Sequence, residues 1–133
     1  MAPRARLRTV LQTDREARLE EGTWRIRCLH CRHTLHLSES GEPLDGGTLE
    51  HIVPRSWFAK RAAAHLTANL QGPDDPRNLA LACARCNQQK GKGPDARGPE
   101  DLRAQEVVAA LLEQRARRYL IPPPPPALRP GRA

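Results

Sequence analysis

Four cysteines, one Glu-His pair and two asparagines are the residues of this chain whose types and spacing carry chemistry. Cys28-Leu-His-Cys31 and Cys83-Ala-Arg-Cys86 contain every cysteine present. A two-residue gap lets both thiolates of a knuckle turn face one ion, and two knuckles complete the tetrahedral sulfur shell that zinc prefers. Four thiolates leave no open coordination position, so such an ion is structural. A redox dithiol and a disulfide are the alternative readings of these pairs. His30, His33 and His36 lie beside the first knuckle, as alternative ligands or as phosphate contacts.

Between the knuckles runs LEHIVPRS, with Glu50 and His51 adjacent, then Asn78, and Asn87 directly after the last cysteine. Phosphodiester hydrolysis needs a base for water, neutralisation of charge building at phosphorus, and fixed in-line geometry. An imidazole titrates near neutral pH, which makes His51 the natural base. A base works only if its second nitrogen is held, and the Asn78 side-chain carbonyl is the expected acceptor. Glu50 and Asn87 offer hard oxygen ligands that suit one Mg²⁺ keeping several waters. Adjacent strand residues point to opposite faces, so Glu50 and His51 share a site only where the strand twists or ends, as Pro54 suggests. Arg55, Arg85 and Lys90 flank these residues as expected phosphate contacts, together with the N-terminal arginines. Taken singly, Glu50-His51 is a surface pair, Asn78 a turn residue and Asn87 a helix cap. Asp74-Asp75 before Pro76 reads as a turn, and His65 as a helix residue outside the chemistry.

The elements that must position these groups are legible from periodicity and breakers. Residues 1–8 read as a basic arm and Thr9–Glu21 as a helix, with Thr13 and Glu16 spaced as a capping box and Gly22 as its stop. TWRIRC alternates as a half-buried strand and is followed by a knuckle and a short return strand. A loop over 38–47 leads to a strand over 48–53, then a helix SWFAKRAAAHL that Ser56 caps and Trp57-Phe58 anchor to the core. Residues 67–77 read as loop, 78–82 as a short strand and 85–90 as helix. Residues 91–99 read as a linker, and Glu100–Tyr119 as a last helix with the apolar stripe Leu102, Val107, Val108, Leu111 and Leu112. Arg115, Arg117 and Arg118 gather at its C-terminal end, where they suit the helix dipole. IPPPPPALRPGRA reads as a polyproline-like tail, with a proline-binding module as a conceivable reader.

Composition sets the frame. Apolar residues make up 38% and aromatics 3% of the 133 residues, a thin core that calls for a further staple such as bound zinc. Twenty-two basic against fifteen acidic residues give a net charge of +7, and nineteen of the basic ones are arginine. That bias points to an anionic polymer, most simply nucleic acid, although arginine-favouring codon usage gives the same composition. No apolar run reaches the length of a membrane span, and the N-terminus lacks a secretion core, so a cytoplasmic location is expected. There the cysteines stay reduced and serve metal.

The text EHIVPRS … NLALACARCNQQKGK resembles the HNH endonucleases, the ββα-metal family, in the form with asparagine in the last position. The resemblance runs from about Trp24 to Lys92. The nine-position step from Asn78 to Asn87 and the flanking cysteine pairs follow zinc-bearing members. It implies an α+β fold, a small ββα-metal core with two zinc knuckles, flanked by N- and C-terminal helices. The implied layout is an arm and helix over 1–22, a nuclease core over 23–93, a linker and helix over 94–120, and a tail over 121–133. It also implies Mg²⁺-dependent cleavage of double-stranded DNA, with His51 as base, Asn78 orienting it, and Glu50 and Asn87 on the metal. Glu50 stands where aspartate is commoner, and its extra methylene moves the carboxylate by about 1.5 Å at most. One site per chain cuts one strand at a time, so double-strand cleavage calls for a homodimer or a second encounter. The competing expectations are a non-catalytic zinc-stabilised DNA-binding module, and a nuclease subunit docked to a partner in phage packaging or restriction.

Overall fold

The structure, a computed structural model, describes residues 3–121. The expected proline-rich segment over 122–133 lies outside the described residues. In chain order the elements are α1 (Pro3–Gln12), β1 (Arg18–Glu20), β2 (Thr23–Arg27), β3 (Thr34–Ser38), β4 (Gly47–His51), α2 (Ala64–Thr67), β5 (Leu79–Cys83), α3 (Ala84–Lys92), α4 (Pro94–Arg97) and α5 (Leu102–Arg118). The strands form a three-stranded antiparallel sheet, β1-β2-β3, and a two-stranded one, β4-β5. The α+β class and the hairpin-then-helix core, β4-β5-α3, stand as expected.

Four expected elements are corrected, the shortest being the linker over 91–99, in which α4 spans Pro94–Arg97. The first helix begins at Pro3 and ends at Gln12 instead of covering Thr9–Glu21. Thr13 turns its hydroxyl back to the carbonyls of Thr9 and Val10 (2.7 and 3.3 Å), and the chain then leaves to form β1. Glu21 (φ 53°) and Gly22 (φ 77°) are both left-handed, as the two-residue turn of the β1-β2 hairpin requires; Gly22 serves this turn and not a helix stop. The expected helix over 56–66 is broken into 3₁₀ turns at Arg55–Trp57 and Arg61–Ala63 before α2. Lys60 is extended there, and no side chain caps either turn, so the segment is held by burial of Trp57, Ala63 and Leu66. The third correction is in α5, where Leu102 is exposed. The buried positions are Ala104, Val108, Leu111, Arg115 and Arg118, a 4-3-4-3 stripe that continues into arginines. Asp101 caps this helix by accepting from the Ala104 N–H at 2.8 Å.

Two apolar clusters flank the β4-β5 hairpin. One joins Leu7, Val10 and Leu11 of α1 to Ile26, Leu35, Leu37, Leu79 and Leu81. The other joins Ile52, Val53, Trp57, Leu66 and Ala80 to Ala104, Val108 and Leu111 of α5. Between the ends of α1 and α5, Arg115 is wholly buried and donates to Leu79 O (2.7 Å), Thr13 O (3.1 Å), Thr13 Oγ1 (2.7 Å) and Pro76 O (3.2 Å). Arg118 forks onto both carboxylate oxygens of buried Asp14 and donates to Arg27 O. These two arginines therefore tie termini together, and their charge is spent inside the protein rather than at a helix end facing solvent. Among the described residues, no helix is long and apolar enough to cross a membrane.

Candidate metal centre and active site

The two knuckles meet. The four sulfurs of Cys28, Cys31, Cys83 and Cys86 all lie within 4.8 Å of one another. The first knuckle closes through Cys28 N–H to His33 O (2.8 Å) and Arg32 N–H to Cys28 O (3.1 Å), with Arg32 left-handed at φ 66°. The second sits where β5 passes into α3, so Cys83 and Cys86 stand at a helix N-terminus. The Cys83 N–H also donates to Cys28 Sγ at 3.3 Å. Burial above all, and then the neighbouring Cys83 and Cys31 thiols, push the Cys86 thiol up to about 12, so it resists ionising. A divalent soft cation relieves that resistance, and the donor set fits tetrahedral zinc. His30, His33 and His36 are not part of the cluster.

Strand β4 divides the remaining site residues between its two faces. Thr48 and Glu50 look toward α3; Leu49 packs in the α1 cluster, and His51 faces the loop over 71–75. On the α3 side, the Glu50 side chain is 0% exposed. Its Oε1 lies 2.6 Å from His30 Nε2, and its Oε2 lies 3.6 Å from Lys90 Nζ with no hydrogen-bond partner of its own. Lys90, expected on phosphate, is buried instead. Its ammonium donates to the His51 backbone carbonyl (3.1 Å) and to both Asp95 carboxylate oxygens (2.9 Å each), because a buried cation must be paired. Burial pushes the Asp95 carboxyl up, with Lys90 opposing it. Asn87, one helical turn before Lys90, gives its Nδ2 to Thr48 Oγ1 (3.1 Å) and Leu49 O (3.2 Å). Its carbonyl end and the orphaned Glu50 Oε2 are hard oxygens whose chemistry suits Mg²⁺, although His30 and Lys90 stand over the carboxylate.

On the other face, His51 is 23% exposed and its Nε2 lies 2.8 Å from Asp74 Oδ1. Arg55 Nη2 reaches the same oxygen at 3.0 Å, and Arg6 Nη2 from α1 reaches Asp74 Oδ2 at 3.2 Å. The His51 bond above all, and then the Arg55 and Arg6 charges against the cost of burial, hold the Asp74 carboxyl below its usual range.

Asn78 does not touch the His51 ring. Its Oδ1 accepts from Val53 N–H (2.8 Å), and its Nδ2 donates to Val53 O (3.1 Å) and Pro73 O (2.9 Å). Both N–H groups of the amide and its oxygen are engaged by two backbone segments, one just after His51 and one just before Asp74. That is the physical reason the expected side-chain bond to His51 is replaced. Asp75 caps the next turn, as a turn residue should, by accepting from Arg77 N–H. Asp74 is thus the His51 contact that sequence reasoning passes over, and its only signal is a carboxylate pair in a proline-bounded loop. Arg85 is exposed on α3, and Arg55 is exposed while engaged with Asp74.

Residues 28–93 match the family described as HNH endonuclease. Among the curated proteins and the solved structures, none matches the chain.

Proposed function

We propose that this chain, whose residues 28–93 belong to the HNH endonuclease family, hydrolyses phosphodiester bonds of double-stranded DNA with His51 as general base. One observation carries the reading: a partly open imidazole stands at the end of β4 on a backbone that cannot shift. Lys90 holds the His51 carbonyl and Asn78 clamps Val53 two residues on. A base fixed in this way meets its water without reorganising. His51 takes the water proton as the oxygen attacks phosphorus, and the bond to the leaving sugar oxygen breaks. Glu50 and Asn87 would hold Mg²⁺, which when bound would supply neutralisation of the phosphate charge. Arg85, exposed on α3, and Arg55, exposed while paired with Asp74, suit DNA phosphates, which makes binding salt-sensitive and largely independent of sequence. The Cys28, Cys31, Cys83 and Cys86 site, filled with zinc, fixes the knuckles so that α3 stays against β4. One such site nicks one strand, and two chains or two encounters cut both.

The burial of Glu50 under His30 and Lys90 favours a second reading, a zinc-stabilised DNA-binding module without catalysis. A supercoiled-plasmid assay separates the two. The nuclease reading expects nicking that requires added Mg²⁺ and disappears when Mg²⁺ alone is chelated. Salt-sensitive DNA binding with no nicking in any divalent metal establishes the module instead.

A further inference from the structure

We propose that Asp74 is the positioning residue of His51, holding the ring as its Nε2–H tautomer so that Nδ1 faces the attacking water. The inference deepens the proposed function and rests on His51 being its base. Three observations carry it. The 2.8 Å contact between His51 Nε2 and Asp74 Oδ1 is the ring's hydrogen bond, and the Asn78 amide bonds Val53 and Pro73 instead of the ring. Asp74 also receives Arg55 and Arg6, from the turn after β4 and from α1, and a carboxylate facing two guanidiniums stays ionised. An ionised carboxylate only accepts, so the proton of a neutral His51 must lie on Nε2 and the lone pair on Nδ1. Asn78 serves the same pair from below, because its Nδ2 holds Pro73 O next to Asp74 while its Oδ1 holds Val53 near His51.

The loop over 71–75 belongs to the long insert between His51 and Asn78, so this chain supplies its orienting group from the insert. Arg6 makes α1 part of the arrangement as well, which gives the N-terminal helix a role at the site beyond packing.

The test uses the full zinc-loaded chain. Nitrogen NMR of ¹⁵N-histidine-labelled wild type, well above the imidazole titration range, should show His51 as the Nε2–H tautomer. Asp74→Ala should give a tautomer mixture. In Mg²⁺-dependent plasmid nicking, Asp74→Ala should lower kcat by about 10²-fold without raising KM, since its loss frees Arg55 and Arg6 for phosphate. Asp74→Asn, whose carbonyl can still accept the Nε2–H, should recover part of that loss. An Nδ1–H tautomer in wild type overturns the proposal, and this reading does not depend on any variant folding. Wild-type kcat in Asp74→Ala, alongside an inactive His51→Ala, overturns the positioning role and leaves the base intact. Wild-type kcat in His51→Ala overturns the base and the positioning role together.

Discussion

Glu50 and His51 are neighbours in sequence and have opposite surroundings. Glu50 is sealed between His30 and Lys90 on the α3 side of β4, while His51 lies partly open on the side of Asp74 and α1. The alternation of a strand produces the division, and the antiparallel pairing of His51 with Leu79 and Glu50 with Ala80 keeps it in register. A buried carboxylate is costly unless paired, so Glu50 is bound up with the stability of the α3 side. A half-open histidine contributes little to folding and can be reserved for chemistry. One strand end thus carries a sealed carboxylate and a partly open imidazole at consecutive positions, each served by a different packing partner.

The strongest way to break the comparison is to remove what anchors α3. Cys86→Ser should abolish the cooperative thermal transition seen by circular dichroism, because a closed thiolate site contributes on the order of 10 kcal/mol, as much as a small domain's whole stability. A cooperative melt in a zinc-free sample would show that the knuckles hold without an ion. Next, Glu50→Ala should cost about 3 kcal/mol in denaturant unfolding by emptying a buried site and taking the carboxylate from His30 and Lys90, of which Lys90 keeps Asp95, and Glu50→Gln should cost less. A loss below about 0.5 kcal/mol, the range of ordinary surface changes, would mean that the pairing is incidental.

A smaller effect should appear in Asn78→Ala, where buried Val53 and Pro73 groups lose partners, at about 2 kcal/mol by the same unfolding measurement. The smallest lies at acid pH. Burial pushes Asp75 up, but hydrogen bonds from Arg77 and the Gln71 N–H outweigh it and hold the carboxyl below its usual range. Its folded value thus lies below the unfolded one of about 3.9. The contribution is fully present above that value and is lost as pH falls through the folded one. Amide protection factors in residues 71–78 should therefore fall below about pH 4, and Asp75→Asn should remove that step.

Much of this was readable in the residues because the signals are local. Cysteine spacing predicts the knuckles, alternation predicts β2, strand-forming apolar residues ended by Pro54 predict β4, and the asparagine after the last cysteine lies on α3 as expected. What escaped the sequence depends on the three-dimensional partner. Thr13 and Asp14 look helical until Arg115 and Arg118 arrive from the far end of the chain to hold them. Those arginines continue the buried stripe of α5 but read as a solvated helix end, because hydrophobic periodicity does not register a buried cation. Lys90 reads as a phosphate contact until Asp95 and the His51 carbonyl are seen to occupy it. Asp74 reads as a turn residue for the same reason, since nothing in the chain text says that the loop folds back over His51.

The most direct measurement is the Mg²⁺-dependent plasmid-nicking rate of His51→Ala beside its thermal melt, both at zinc content matched to wild type. The account predicts a rate lower by about 10²-fold or more with the melt essentially unmoved, because His51 is half-open and holds little of the fold. Nicking at the wild-type rate, or loss of the cooperative melt, contradicts it.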